Sequence, residues 1–513
     1  MSDRLDEAWA SESQSPNRAE VEAGSGTGPG DAQRARDVAG EGYHPRLIDE
    51  KIATALGSAA VVEIVGPAGC GKRITALRHA ASEVPLATGA DARSLAQADP
   101  TLIFVGTEPR AITDAHLVSA LGPAAESYGR AVAAAGAKGS LILTSSRAGD
   151  TRGVAKGSEG APGSTQLTAG GTRADAEGIA RITMGPMTLQ ELRVSDASVS
   201  LEGLLEGEIR PTAHQLESWA QIARVTSGES ECGGSARGEE RPVEKPLGTI
   251  MPGALSTPEV ARLVCRGGWP SALGLSDEAA GEYAAAYVRR QTEAACSGTR
   301  LSPETAYTLA WSLAAHVSEM PPVSELASGV EAATGTRPAR DTIRAYLNLL
   351  RQVQLVAGVP GWVPPGRDQA HVRIKPVCYF ADPALPAALL AQTPTALLSR
   401  PQVLTALLCN LVYRDLSVYL GLQSAEIKLY HYAEGKGPEA TFIVEQPEPY
   451  RWGAIQVCLS DAGADVAARD LLRLKKRVKA CAPNFLAIVT GRGGYPAQRE
   501  DGIYVIPIAN LGA

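Results

Sequence analysis

The feature that most constrains this chain is the stretch from residue 61 to 80, "VVEIVGPAGCGKRITALRHA": a β-branched run, a glycine-rich turn, then a helical pattern. Gly66-Pro67-Ala68-Gly69-Cys70-Gly71-Lys72 matches G-x-x-x-x-G-K, directly after an apolar strand and at the opening of a helix. That is the context in which the motif cradles phosphate. Glycines let the backbone approach an anion and turn successive N–H groups toward it, the helix amino end adds partial positive charge, and Lys72 reaches the outer phosphates. Without a ligand, the same glycines would simply turn a strand into a helix.

Arg73 occupies the position at which such a loop places a serine or threonine. A hydroxyl there would hold the metal ion between two phosphates, whereas arginine has five donors and no acceptor and cannot ligate a cation. Thr75, two residues on, faces another side of the helix. Two readings follow. Either Arg73 sets a fixed positive charge where the ion would sit, so that nucleotide binds without fast hydrolysis, or it turns to solvent beside a vestigial pocket.

Around the loop, short β-branched runs alternate with helical patterns: "VVEIV" (61–65), a helix from Lys72, "TLIFVG" (101–106), a helix around 115–136, and "SLILTSS" (140–146). Strand, helix and strand in that order predict a parallel sheet covered on both faces, so residues 43–255 read as one α/β domain. Residues 1–42 are too polar to bury a core and read as a disordered tail, and two Gly/Ser-rich stretches, 147–178 and 226–247, read as flexible insertions. Residues 256–300 form a helical linker. Over 301–375 three helical segments, the first opened by Ser302 and Pro303, precede a β-branched run and an aromatic turn. This is the outline of a winged helix, and a purely structural three-helix bundle fits the same pattern. Residues 376–513 return to α/β, with strands at 440–445, 452–459, 484–491 and 502–508 and a helix over 464–479.

A chain of 513 residues has room for about three domains. Its formal charge of −7 leaves nucleic-acid contact to local patches. Two basic clusters qualify, Arg337, Arg340 and Arg344 on one helix and Arg473, Lys475, Lys476, Arg477 and Lys479 on another, although a solvated helix face has the same composition. The eight cysteines are scattered singly, with neither a C-x-x-C pair nor histidines at metal-ligand spacing, so they read as buried thiols in a reducing compartment. No signal-peptide pattern and no uninterrupted apolar run of membrane length is visible. The expectation is a soluble, cytoplasmic protein without a membrane partner.

"YHPRLIDE", "GPAGCGK", "PRAITDAH", "LILTSS", "IARITMGPMTLQE", "CRGGWPSAL", "FADPALPAALL" and "NLVYRDLSVY" occur in the order seen in bacterial AAA-type ATP-binding proteins with a carboxy-terminal domain of unknown function 4143, which the chain resembles from Tyr43 to its end. The resemblance implies an ATP-binding P-loop domain of AAA type, a winged-helix-like middle and a terminal domain similar to restriction endonucleases. It implies ATP as ligand, with magnesium left open, and assembly into homo-oligomers. Gly66, Pro67, Ala68, Gly69, Cys70, Gly71, Lys72, Arg73 and, on the sensor strand, Thr144 would contact nucleotide, with Ser145 beside it.

The catalytic parts depart from the family pattern. Its two adjacent acids read Thr113 and Asp114 here, which leaves Asp114 as the one candidate acid, and its Gly-Arg pair reads Glu177-Gly178, with Arg181 at a separate position. The nuclease-type acids and lysine read Thr441, Gln456 and Cys458, with Glu439 and Glu445 nearby. The expected function is therefore ATP binding with weak or lost hydrolysis and no nuclease activity. The alternative is a DNA-binding winged-helix regulator or scaffold whose nucleotide pocket is vestigial. Within "CRGGWP", Gly267, Gly268 and Pro270 read as a tight turn anchored by Trp269, while Arg266 could meet nucleotide or a neighbouring segment.

Overall fold

A computed structural model of the chain describes residues 43–147, 168–169, 178–207, 255–366, 372–423, 425–435, 437–460 and 463–513. The tail at 1–42, the insertion at 226–247, most of that at 147–178 with Glu177, and Cys232 lie outside the described residues.

The first part contains α1 (Asp49–Leu56), β1 (Val61–Val65), α2 (Lys72–His79), β2 (Ser82–Pro85), β3 (Arg110–Thr113), α3 (Leu121–Ala134), β4 (Leu141–Ser145) and β5 (Ile179–Thr183). The five strands form one sheet in the order β2-β3-β4-β1-β5, every neighbouring pair parallel. Residues of β3 and β4 are buried throughout, as expected for strands covered on both faces. Because β3 and β4 insert between β1 and β2, the carboxyl ends of β1, β3 and β4 lie side by side. In an open α/β sheet that edge is where ligands bind.

The strand expected at 101–106 is not formed. Pro100–Ile103 is a 3₁₀ turn whose cap, Asp99, accepts from the Thr101 N–H, and the strand lies later, at Arg110–Thr113. A capping aspartate followed by proline outweighs a short β-branched run, and Ile103 and Phe104 meet their apolar demand by burial without pairing. The edge strand β2, "SEVP", has a glutamate and a proline in four residues and gives little strand signal.

The middle consists of α4 (Thr257–Arg266), α5 (Asp277–Cys296), α6 (Pro303–Ala314), α7 (Val323–Thr334) and α8 (Arg340–Gln352), then β6 (Val356–Val359) antiparallel to β7 (Val377–Phe380). Ser256, Ser276 and Ser302 cap α4, α5 and α6 through their side chains. The last part runs α9 (Pro401–Leu422), β8 (Ile427–Ala433), β9 (Glu439–Gln446), β10 (Arg451–Cys458), α10 (Ala464–Arg477), β11 (Phe485–Thr490) and β12 (Tyr504–Pro507). β8, β9 and β10 form an antiparallel meander, α10 crosses over, and β11 pairs parallel with β10. The two-residue strand Thr168–Ala169 pairs with β8.

α9 is long and apolar enough to cross a membrane by length and composition, although no uninterrupted apolar run is visible in the sequence. Here 78% of that helical window is buried inside the protein. One cluster of buried apolar side chains extends from Ile48 to Leu511 and takes in residues from all three parts. Leu511–Gly512 pairs with Val199–Ser200, joining the end of the chain to its first part.

Candidate functional site

The loop between β1 and α2 is shaped by backbone conformations that favour glycine: Gly69 has φ +74° and Gly71 φ +104°. Gly66 packs so closely that a Cβ there would stand 2.0 Å from the Met184 carbonyl oxygen. The loop is held from behind. Arg46 donates through Nη1 to the Cys70 carbonyl at 2.7 Å and through Nη2 to the Gly185 carbonyl at 2.9 Å, while its Nε bonds Glu191 at 2.9 Å. Among the described residues, the N–H groups of Ala68, Gly69 and Gly71 have no acceptor. Unclaimed amides clustered at a helix amino end, here interrupted by Cys70, whose N–H donates to the Pro67 carbonyl, are the donor set an anion needs.

Lys72 is buried and donates to the Gly66 and Pro67 carbonyls, each at 2.8 Å, so its ammonium lies folded across the loop it would share with phosphate. Arg73 is half exposed and grips Glu83 of β2 with two bonds, Nε to Oε1 at 2.6 Å and Nη2 to Oε2 at 2.9 Å. Glu83 also accepts from the Thr113 hydroxyl at 3.1 Å. The hydrogen bonds that Arg73 donates to Glu83 raise its pKa, burial opposes the rise, and the charges of Glu83 and Asp114 add to it.

Asp114 follows β3 in a left-handed conformation, φ 60°, and its N–H donates to the Thr144 hydroxyl of β4 at 3.0 Å. Thr144 is buried and engaged with that backbone group. Ser145 donates to the Arg147 carbonyl. Thr75 is buried and accepts from the Tyr43 hydroxyl at 3.4 Å, away from the loop. Sequence reasoning missed His116. Its Nδ1 accepts from the Ser146 N–H at 3.2 Å, which leaves a proton for Nε2. Burial pushes its pKa below the ordinary 6.5, against the pull of Asp114 and helped by Lys72 and Arg147, so the ring is neutral at pH 7. The signal available was a histidine two residues after the candidate acid.

The unexplained "CRGGWP" motif meets three others at a buried ion cluster. Arg414 and Asp415 of α9 and Asp382 after β7 are essentially unexposed, with Arg414 Nη1 3.1 Å from Asp382 and Nη2 2.7 Å from Asp415. Asp382 accepts from the Gly268 N–H at 2.8 Å and Asp415 from the Leu189 N–H at 3.2 Å. Arg266 pairs with Asp277, and Trp269 is fully buried. The motif is thus a structural turn, as the glycines and tryptophan predict.

In the last part, the positions that the resemblance matches to a nuclease-type metal site are hydrogen-bonded among themselves or to nearby backbone. The Thr441 hydroxyl donates to Gln456 Oε1 at 2.6 Å, and Gln456 Nε2 donates to the Glu439 carbonyl at 2.9 Å. Cys458 Sγ contacts the Ser460 carbonyl. Glu445 accepts from Trp362 Nε1 and the Tyr450 hydroxyl. Among the described residues no group of three histidine, cysteine or acidic side chains could hold a metal ion. Arg181 pairs with Glu63 and Glu126. In the basic clusters, Arg337 pairs with Glu331, Arg344 with Asp341, Arg473 with Asp470 and Arg477 with Glu434, while Arg340, Lys475, Lys476 and Lys479 are exposed.

Residues 257–396 match the model of a domain of unknown function, DUF8612, a stretch that takes in α4 to α8, the β6–β7 pair and Asp382 and leaves the loop from Gly66 to Lys72 outside. No curated protein matches the chain.

Proposed function

We propose that the protein binds ATP through the loop from Gly66 to Lys72, as a degenerate relative of AAA-type ATP-binding proteins, with weak or lost hydrolysis. The observation that carries this reading is the Arg73–Glu83 pair, joined by Thr113. An ordinary site of this kind needs a hydroxyl after the lysine and an acid at the end of the third strand to hold magnesium. Here a guanidinium and a threonine stand at those positions and satisfy each other through Glu83. These residues do not fit a metal, and no catalytic step is assigned to one. The amides of Ala68, Gly69 and Gly71, with Lys72, remain available to phosphate oxygens once the ammonium leaves its two carbonyls. The five-stranded parallel order, with the loop after β1 and Asp114 after β3, supports the same reading.

Calorimetric titration tests it. Purified protein should bind ATP with an affinity that changes by no more than about twofold when magnesium is replaced by a chelator, and Lys72→Ala should weaken binding about tenfold or more, by loss of a charged hydrogen bond. A strict magnesium requirement, or rapid phosphate release that Lys72→Ala abolishes, would overturn the reading.

A second reading has its own support. Three helices followed by an antiparallel strand pair, with Arg340 and Arg344 on the exposed side of α8, form the outline of a DNA reader. It predicts duplex affinity that falls steeply with salt and is weakened by the double change Arg340→Ala, Arg344→Ala. Salt-insensitive or absent binding, measured by fluorescence anisotropy, counts against it.

A further inference from the structure

The phosphate loop is covered on one side by the helix α5. Built on Gly69, a Cβ would stand 3.3 Å from the Tyr283 hydroxyl and 3.9 Å from Tyr287 Cε2. Tyr287 is buried, packs against Trp269 at a 36° tilt with ring centroids 4.4 Å apart, and follows Tyr283 by one helical turn, the two rings 6.5 Å apart. Its hydroxyl has no hydrogen-bond partner among the described residues, and neither has Trp269 Nε1 beside it. A buried hydroxyl without a partner costs stability comparable to a lost hydrogen bond, so its presence calls for an explanation, and a ligand arriving at the adjoining loop supplies one. Two unpartnered donors on rings in contact, with the Tyr287 ring lying against Gly69 of a loop with unclaimed amides, make a built arrangement.

We propose that α5 completes the nucleotide site: when phosphate enters the loop, the Tyr287 hydroxyl donates to one of its oxygens, and Tyr283 closes over Gly69 beside it. The proposal rests on the ATP-binding reading above. Its physical content is that occupancy of the loop is registered by a helix outside the P-loop sheet. Tyr287 of α5 packs against Trp269, whose neighbour Gly268 donates its N–H to Asp382, itself paired with Arg414, so a shift of α5 reaches the ion cluster through these contacts. The tyrosine hydroxyl is a donor at neutral pH, since burial raises its pKa well above the ordinary value.

The test compares wild type, Lys72→Ala, Tyr287→Phe and Tyr283→Phe, each titrated with ATP in chelator and each melted with and without ATP. Tyr287→Phe removes only an unpartnered oxygen, so its melting temperature without ATP should equal or exceed that of wild type. Its ATP affinity should fall about tenfold, as expected for a hydrogen bond to a charged group, and its ATP-induced rise in melting temperature should shrink. Tyr283→Phe should show a smaller loss of affinity in the same direction. If wild type binds ATP and Lys72→Ala does not, while Tyr287→Phe binds like wild type, the proposal is overturned and the ATP-binding reading stands. A Tyr287→Phe protein that melts lower without ATP and binds ATP normally also overturns it, since the hydroxyl would then be structural. Failure of wild type itself to bind ATP sinks the underlying reading instead.

Discussion

Gly268 has its α-carbon against the backbone of Met187: a Cβ would lie 2.1 Å from the Met187 carbonyl oxygen and 3.0 Å from Arg414 Nη1. Its N–H bonds Asp382 and its carbonyl accepts from the Met187 N–H at 2.7 Å. Three segments meet there with no room for a methyl group. Gly268→Ala should therefore destabilise the protein by at least about 1–3 kcal/mol, the range for an overfilled interior, because the obstructing atoms are backbone and cannot rotate away. Denaturant unfolding measures it, and an unchanged midpoint would show that the contact is looser than drawn. The need for glycine at 267 and 268 was legible as a turn signal. What the glycines are close to was not, since Asp382 lies 114 residues away. Arg73 teaches the same lesson: its inability to hold a metal follows from its chemistry, whereas its partner Glu83 belongs to a strand with almost no strand signal.

α9 shows how an apolar helix can carry charge through a core. Burial of Arg414 works against its ionised form, but Asp415 and Asp382 push its pKa up, and it remains a cation. Asp415 accepts from Arg414 Nε at 2.8 Å as well as from the Leu189 N–H. Arg414→Leu leaves two carboxylates buried without their counter-charge and should cost about 3–5 kcal/mol, measured by equilibrium unfolding. Changing Asp382 and Asp415 to asparagine in the same protein should recover part of that loss, because the uncompensated charge is what is costly. No recovery would mean that packing of the arginine stem, and not its charge, was lost. Several helices were legible from spacing, and α6 also from its cap at Ser302 and Pro303, whereas α1 and the long α9 were not anticipated. The misplaced strand at 101–106 and the unanticipated β8, "IKLYHYA", were not legible either, because short apolar runs look alike whether they pair or only pack.

The protein as a whole is held together by one apolar cluster that crosses all three parts, with α9 inside it and the end of the chain paired to Val199–Ser200. Composition and pattern alone sufficed for the mixed α/β class, the glycine-rich strand-to-helix turn from Gly66 to Lys72 and the inability of Arg73 to hold a metal ion. Each of these follows from the chemistry of a residue or of a few neighbours in the chain. The destination of Arg73, the neutral His116 beside Asp114, the joining of four distant motifs around Arg414 and the tyrosines over Gly69 emerged only with the fold. Those arrangements join groups far apart in the chain, and the energy of a buried pair or an unpartnered hydroxyl depends on which atoms the packed interior brings within a few ångströms of it.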